Sequence, residues 1–156
     1  MHVGGIMVFE GPAPDIEAVR GHVECRLHLV PRYRQKIAVP PLQMGRPMWV
    51  DDPCFNLEYH VRQTALPSPG GTEQLRALAG RIFSQRLDRT KPLWEMWVVE
   101  GLEGDRFALV SKTHHALIDG MSGVDLASLL FDPTREPREV PPPEQPWQPQ
   151  IVGLLG

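Results

Sequence analysis

The sequence predicts an α/β chain of the α+β type, a mixed sheet flanked by helices. Three observations carry this. Residues 55–62 alternate apolar and polar side chains, Phe55, Leu57, Tyr59 and Val61 against Asn56, Glu58, His60 and Arg62, the period of a half-buried strand. Leu75, Leu78, Ala79, Ile82, Phe83 and Leu87 recur at helical spacing, with Arg76, Arg81 and Arg86 elsewhere on the helix. Two apolar stretches, Trp94 to Val99 and Arg106 to Thr113, are separated by the turn-like "GLEGD", which reads as a hairpin.

The remaining elements follow in chain order. Val3 to Phe9 is apolar and partly β-branched, so it reads as a strand, with Gly4 and Gly5 marking a bulge or a close backbone approach. "GPAPD" breaks the chain at residues 11–15. Pro14 suits the first position of a helix, whose face is set by Ile16, Val19, Val23 and Leu27 and whose end is set by Pro31. Residues 37–53 read as irregular. "LPSPGG" breaks the chain again, and Thr72 is the expected N-cap of the long helix. Pro92 lies past that helix. A short amphipathic helix is expected over 121–131. Seven prolines between 133 and 149 then mark an irregular or PPII-like linker. The expected division is a half-domain over 1–132 and a proline-rich linker over 133–156.

Composition narrows the function classes. The 156 residues suit one domain with a real core, and 42% hydrophobic with 22% charged residues is ordinary for a globular chain. A net charge of -3 argues against a nucleic-acid binder, although Arg32, Arg34 and Lys36 cluster locally. Cys25 and Cys54 form neither a disulfide framework nor a metal knuckle and read as reduced thiols of a cytoplasmic protein. Neither a signal peptide nor a membrane-spanning run is visible, so any meeting with a membrane is expected at its surface.

The candidate chemistry lies in "KTHHALIDG", residues 112–120. Strand alternation puts His114 with Ala108, Val110 and Lys112, and His115 with Phe107, Leu109, Ser111 and Thr113. Opposed imidazoles weaken a shared metal site built from His114, His115 and Asp119, which would need converging rings. Asp119 is placed either to orient an imidazole or to pair with a distant arginine. Gly120 allows a backbone angle or approach closed to other residues. His2, His22, His28 and His60 read as structural or surface residues, with His60 solvated on its strand's polar face. His114 reads as a structural neighbour behind the site.

"HHALIDG" resembles the HHxxxDG signature of the CoA-dependent acyltransferases. Together with "HVGGIMVFEGPAP", "FNLEYHVRQTALPSPGG", "SQRLDRTKPLWEMWVVEGL" and "HHALIDGMSG", it is similar to the bacterial wax ester synthase/diacylglycerol acyltransferase family from Val3 to about Asp132. The resemblance implies one chloramphenicol-acetyltransferase-like half of a two-domain enzyme. It also implies a segment before Met1 and a C-terminal half after the linker. The implied reaction moves a long-chain acyl group from acyl-CoA, a co-substrate, to diacylglycerol or a long-chain alcohol. No bound cofactor or metal is implied.

By the same resemblance His115 is the general base, a role for which a neutral imidazole is suited. Asp119 would hold the loop and Gly120 would keep the substrate channel open. Pro92, Leu93 and Trp94 of "PLWE" would line the acyl channel, or serve as helix stop and core. Oxyanion donors, worth about 3–4 kcal/mol each, have no signature here. The alternatives are an acyl-CoA- or lipid-binding half that does not turn over and a condensation or polyketide-associated acyltransferase. A cytoplasmic location is expected, with contact at a membrane or lipid-droplet surface.

Overall fold

The computed structural model describes residues 2–38, 45–119 and 141–150. In chain order it comprises β1 (His2–Glu10), α1 (Ile16–Glu24), two 3-10 turns (Leu27–Leu29 and Pro31–Arg34), β2 (Gln35–Ala38), β3 (Met48–Asp51), α2 (Leu57–His60), β4 (Val61–Ala65), α3 (Thr72–Ser84), β5 (Trp94–Leu102), β6 (Arg106–His114) and α4 (His115–Asp119). The main sheet has the order β1-β6-β5-β4. β6 pairs antiparallel with both β1 and β5, whereas β4 runs parallel to β5. A parallel neighbour demands a crossover, which α3 supplies. The mixed sheet with flanking helices is therefore as expected, and so is the β5–β6 hairpin.

Each face of the sheet packs its own core. Ala108 and Val110 of β6 and Val99 of β5 meet Leu75 and Ile82 of α3. Trp94 and Met96 of β5 and Val61 of β4 meet Val23 of α1, Leu27 and Tyr33 of the 3-10 turns, and Leu117 of α4. Gly4 is the close approach its sequence suggests, because a Cβ there would run into the Phe83 ring. It is not a bulge, since the β1–β6 register is unbroken from His2 to Glu10.

Several expectations are corrected. Residues 55–62 are not one strand. Asn56 Oδ1 accepts the Glu58 N–H at 3.0 Å and caps the single turn of α2, and β4 begins only at Val61. An Asx cap competes with extended backbone, which the alternation could not reveal. Residues 37–53 are not wholly irregular, because β2 and β3 pair through Gln35↔Asp51 and Ala38↔Met48. Leu27 belongs to a separate 3-10 turn, and Pro31 opens the next turn rather than closing α1. Pro14 precedes the N-cap, which is Asp15.

α3 is capped by Gly71 rather than Thr72, with Gln74 Oε1 accepting the Gly71 N–H at 2.7 Å. It stops at Ser84, short of Leu87. Lys112 explains the stop. Its fully buried ammonium donates to the carbonyls of Ile82 (2.7 Å) and Gln85 (2.6 Å), satisfying groups that a helix end leaves open.

The Arg32–Lys36 cluster is not an open basic patch. Arg32 lies over Trp49, Arg34 lies over Trp147, and Lys36 is 3.8 Å from Asp52. Residues 141–150 are irregular, as expected, and mostly exposed, but they are held against the domain. Trp147 stands edge-on to Phe55, and the Gln150 N–H donates to Asp51 at 2.9 Å. The helix expected over 121–131 lies outside the described residues. Both cysteines are free and exposed.

Candidate functional site

β6 delivers the histidine pair to the end of the main sheet. Strand alternation holds as far as His114, then ends because α4 begins at His115. The junction is fixed on both sides. The His114 N–H donates to Leu93 O at 2.9 Å, and Leu117, two residues beyond His115, is buried in the core. The Ala116 N–H donates to His114 Nδ1 at 3.1 Å, so in neutral His114 the ring proton sits on Nε2. His115 is exposed at the start of α4.

His114 is directed to the α3 side of the sheet, where it lines a pocket of about 430 Å³ with His2, Arg86, Leu87 and Arg89. Burial lowers its pKa, and positive neighbours, among them Arg89, His2 and His115, add to the effect. Asp119 closes α4, and its side chain lies outside the described residues, as does Gly120. Among the described residues no cluster of three or more His, Cys, Asp or Glu could hold a metal.

Pro92, Leu93 and Trp94 stand directly behind this junction, and all three are buried. Trp94 donates from Nε1 to Tyr33 O at 2.8 Å and meets the Tyr33 ring edge-on at 5.3 Å. His60 is the clearest correction to the sequence reading. It is not solvated but 1% exposed, stacked between Phe55 (5.2 Å) and Trp94 (4.7 Å). Its Nδ1–H donates to Trp94 O at 2.7 Å, and burial pushes its pKa down to about 4. His60 is a neutral structural group.

Sequence reasoning missed two features near the pair. One is Lys112, whose 3.8 Å approach to Glu95 and grip on α3 fix the turn that carries Arg86 and Arg89. The other is His2, brought level with His114 by strand register. Only the pairing of two distant strands reveals it.

The family model described as wax ester synthase/diacylglycerol acyltransferase catalytic domain matches residues 1–153. A Mycobacterium tuberculosis protein named probable diacylglycerol O-acyltransferase tgs3 is 44% identical over 96% of this chain. A second from that organism, named probable diacylglycerol O-acyltransferase tgs1, is 43% identical over 83% of it. The chain spans 55% of the first relative's length and 28% of the second's.

Among solved structures, the wax ester synthase/diacylglycerol acyltransferase of Marinobacter aquaeolei VT8 aligns with a TM-score of 0.62 at 36% identity. That alignment covers 78% of this chain and 31% of the other. The starter condensation domain of rhizomide synthetase RzmA aligns at 0.64 but at 12% identity, covering 83% of this chain and 31% of the other, a likeness of fold alone. On the family match and these identities, the chain belongs to the wax ester synthase/diacylglycerol acyltransferase catalytic-domain family.

Proposed function

We propose that this chain supplies the catalytic histidine of an acyl-CoA-dependent O-acyltransferase that makes triacylglycerol or wax esters. The carrying observation is the presentation of His115: exposed at a strand–helix junction whose backbone is anchored by Leu93 O before it and buried Leu117 after it. A base held by its neighbours loses little orientation when substrate arrives. His115 accepts the acceptor hydroxyl proton as the oxygen attacks the thioester carbonyl. The tetrahedral intermediate collapses with cleavage of the C–S bond, and the imidazolium returns its proton to the CoA thiolate. An ester and CoA leave, and the base is neutral again.

In this reading Asp119 holds the loop after His115, Gly120 leaves the channel open, and His114 supports the junction from behind. Pro92, Leu93 and Trp94 form the wall on which the junction rests. A second half, corresponding to the additional length of the relatives, would complete the channel. The substrates are apolar, and no helix among the described residues is long and apolar enough to span a membrane. The apolarity of the substrates supports a place of action at the cytoplasmic surface of a membrane or lipid droplet. The covered share of the relatives' length also supports a second reading, an acyl-CoA- or lipid-binding half that cannot turn over alone.

The test is thiol release from palmitoyl-CoA with hexadecanol or a diacylglycerol, using the chain with and without a separately made C-terminal half. Acceptor-dependent release that falls about 10²- to 10⁴-fold in His115→Ala is the expected result. A folded, assembled pair that releases no thiol, while still binding acyl-CoA, would favour the binding-half reading.

A further inference from the structure

We propose that the pocket formed by His2, Arg86, Arg89 and His114, on the α3 side of the sheet, binds a phosphate group. The proposal concerns a site apart from His115 and does not rest on the acyl-transfer reading. Its walls come from three parts of the chain. Register pairs His2 of β1 with His114 of β6, so both rings leave the sheet on the same face. Arg86 and Arg89 lie on the turn after α3, and Leu87 between them is buried and forms the floor.

That turn is not a loose surface loop. Lys112 holds the carbonyls of Ile82 and Gln85 from below, and His2 Nε2 donates to Phe83 O at 2.6 Å. The two arginines are thus carried on backbone pinned at three carbonyls.

Among the described residues no carboxylate lines this pocket. The acid between the two arginines, Asp88, is turned instead to Thr90, whose N–H and hydroxyl donate to it at 2.9 and 2.7 Å. Glu95 is engaged by Lys112. Among the described residues neither Arg86 nor Arg89 has an acidic partner. A protein of net charge -3 has thereby gathered two guanidinium groups and two imidazoles around a concave space.

The donors suit one chemistry. Guanidinium forks bind phosphate oxygens in pairs. His114 offers Nε2–H because Ala116 occupies its Nδ1. His2 commits its Nε2–H to Phe83 O, which holds its ring in place as a wall of the pocket. The two guanidinium forks and the His114 N–H suit a tetrahedral anion better than a planar carboxylate. The pocket volume of about 430 Å³ accommodates a phosphate with part of its substituent.

Binding would be measured on the full chain by calorimetry and by the histidine side-chain NMR signals. The probes are inorganic phosphate, coenzyme A, and phosphatidylcholine vesicles with and without phosphatidic acid, with acetate as a carboxylate control. At least one phosphate probe is expected to bind, to shift the His2 and His114 signals, and to weaken about tenfold or more in Arg86→Gln/Arg89→Gln. Both arginines are exposed, so the double variant keeps its fold, checked by circular dichroism. Lys91→Gln, a nearby cation that lies over Tyr59 instead, is expected to leave binding unchanged. Which probe binds names the source: free phosphate, nucleotide or lipid headgroup. Failure of every phosphate probe, equal binding of acetate, or loss in Lys91→Gln as large as in the arginine variant would overturn the proposal.

Discussion

His60 ends α2 just before β4, His114 ends β6, and their surroundings differ in kind. His60 is enclosed by three rings, Phe55, Tyr59 and Trp94, and gives its Nδ1 proton to a buried carbonyl. Burial favours its neutral form and outweighs the Trp94 carbonyl and the nearby Glu95 and Asp52, which pull the other way. His114 stands at the edge of an open pocket among cations, one nitrogen held by backbone and the other left as a donor. Both have pKa values lowered first by burial. Around His114, positive neighbours reinforce the shift, so an arriving anion can reverse part of it, whereas nothing small can enter beside His60. The same side chain packs a core in one place and equips a cleft in the other, and its partners decide which.

The sharpest way to break the His60 side of this contrast is Trp94→Ala. It removes the ring on which His60 stacks and the Nε1 donor to Tyr33 O. A loss of about 3–5 kcal/mol is expected in denaturant unfolding, enough to threaten folding. Acid comes next. In the unfolded chain the imidazole titrates near 6.5, but in the fold near 4. The unfolded state therefore binds the proton first. Stability is full above pH 6.5 and falls as pH drops toward 4, by roughly 3 kcal/mol at most. In His60→Phe this acid limb is expected to flatten, and an unchanged profile would place the acid sensitivity elsewhere.

Lys112→Met tests the floor under the histidine pair. It leaves the Ile82 and Gln85 carbonyls without their donor and buried Glu95 without its cation. A loss of about 1–3 kcal/mol is expected, with faster amide exchange at the end of α3. The smallest effect belongs to Trp147→Ala. Its ring covers Phe55 and lies under Arg34 but is 36% exposed. Stability is expected to change by about 1 kcal/mol or less, while limited proteolysis within 141–150 accelerates.

The sequence by itself determined the helical period of α3, the β5–β6 hairpin and the presence of "HHALIDG" at the end of a strand. These are local: side-chain period and turn residues act within a few positions. The motif pointed to a superfamily, and only together with its flanking segments to the wax ester synthase/diacylglycerol acyltransferase family. The sequence did not disclose that "FNLEYH" folds as a capped turn, since a two-residue side-chain-to-backbone bond at Asn56 outweighs alternation.

The fate of His60, the pinning of α3 by Lys112 and the meeting of His2 with His114 and the two arginines were decided only by tertiary structure. Each depends on strands brought together across a long stretch of chain: 34 residues separate His60 from Trp94, and 81 separate His2 from Phe83. Burial and partner charge are properties of the assembled sheet. No local pattern encodes them, because the groups that set them become neighbours only when β1, β5 and β6 pair.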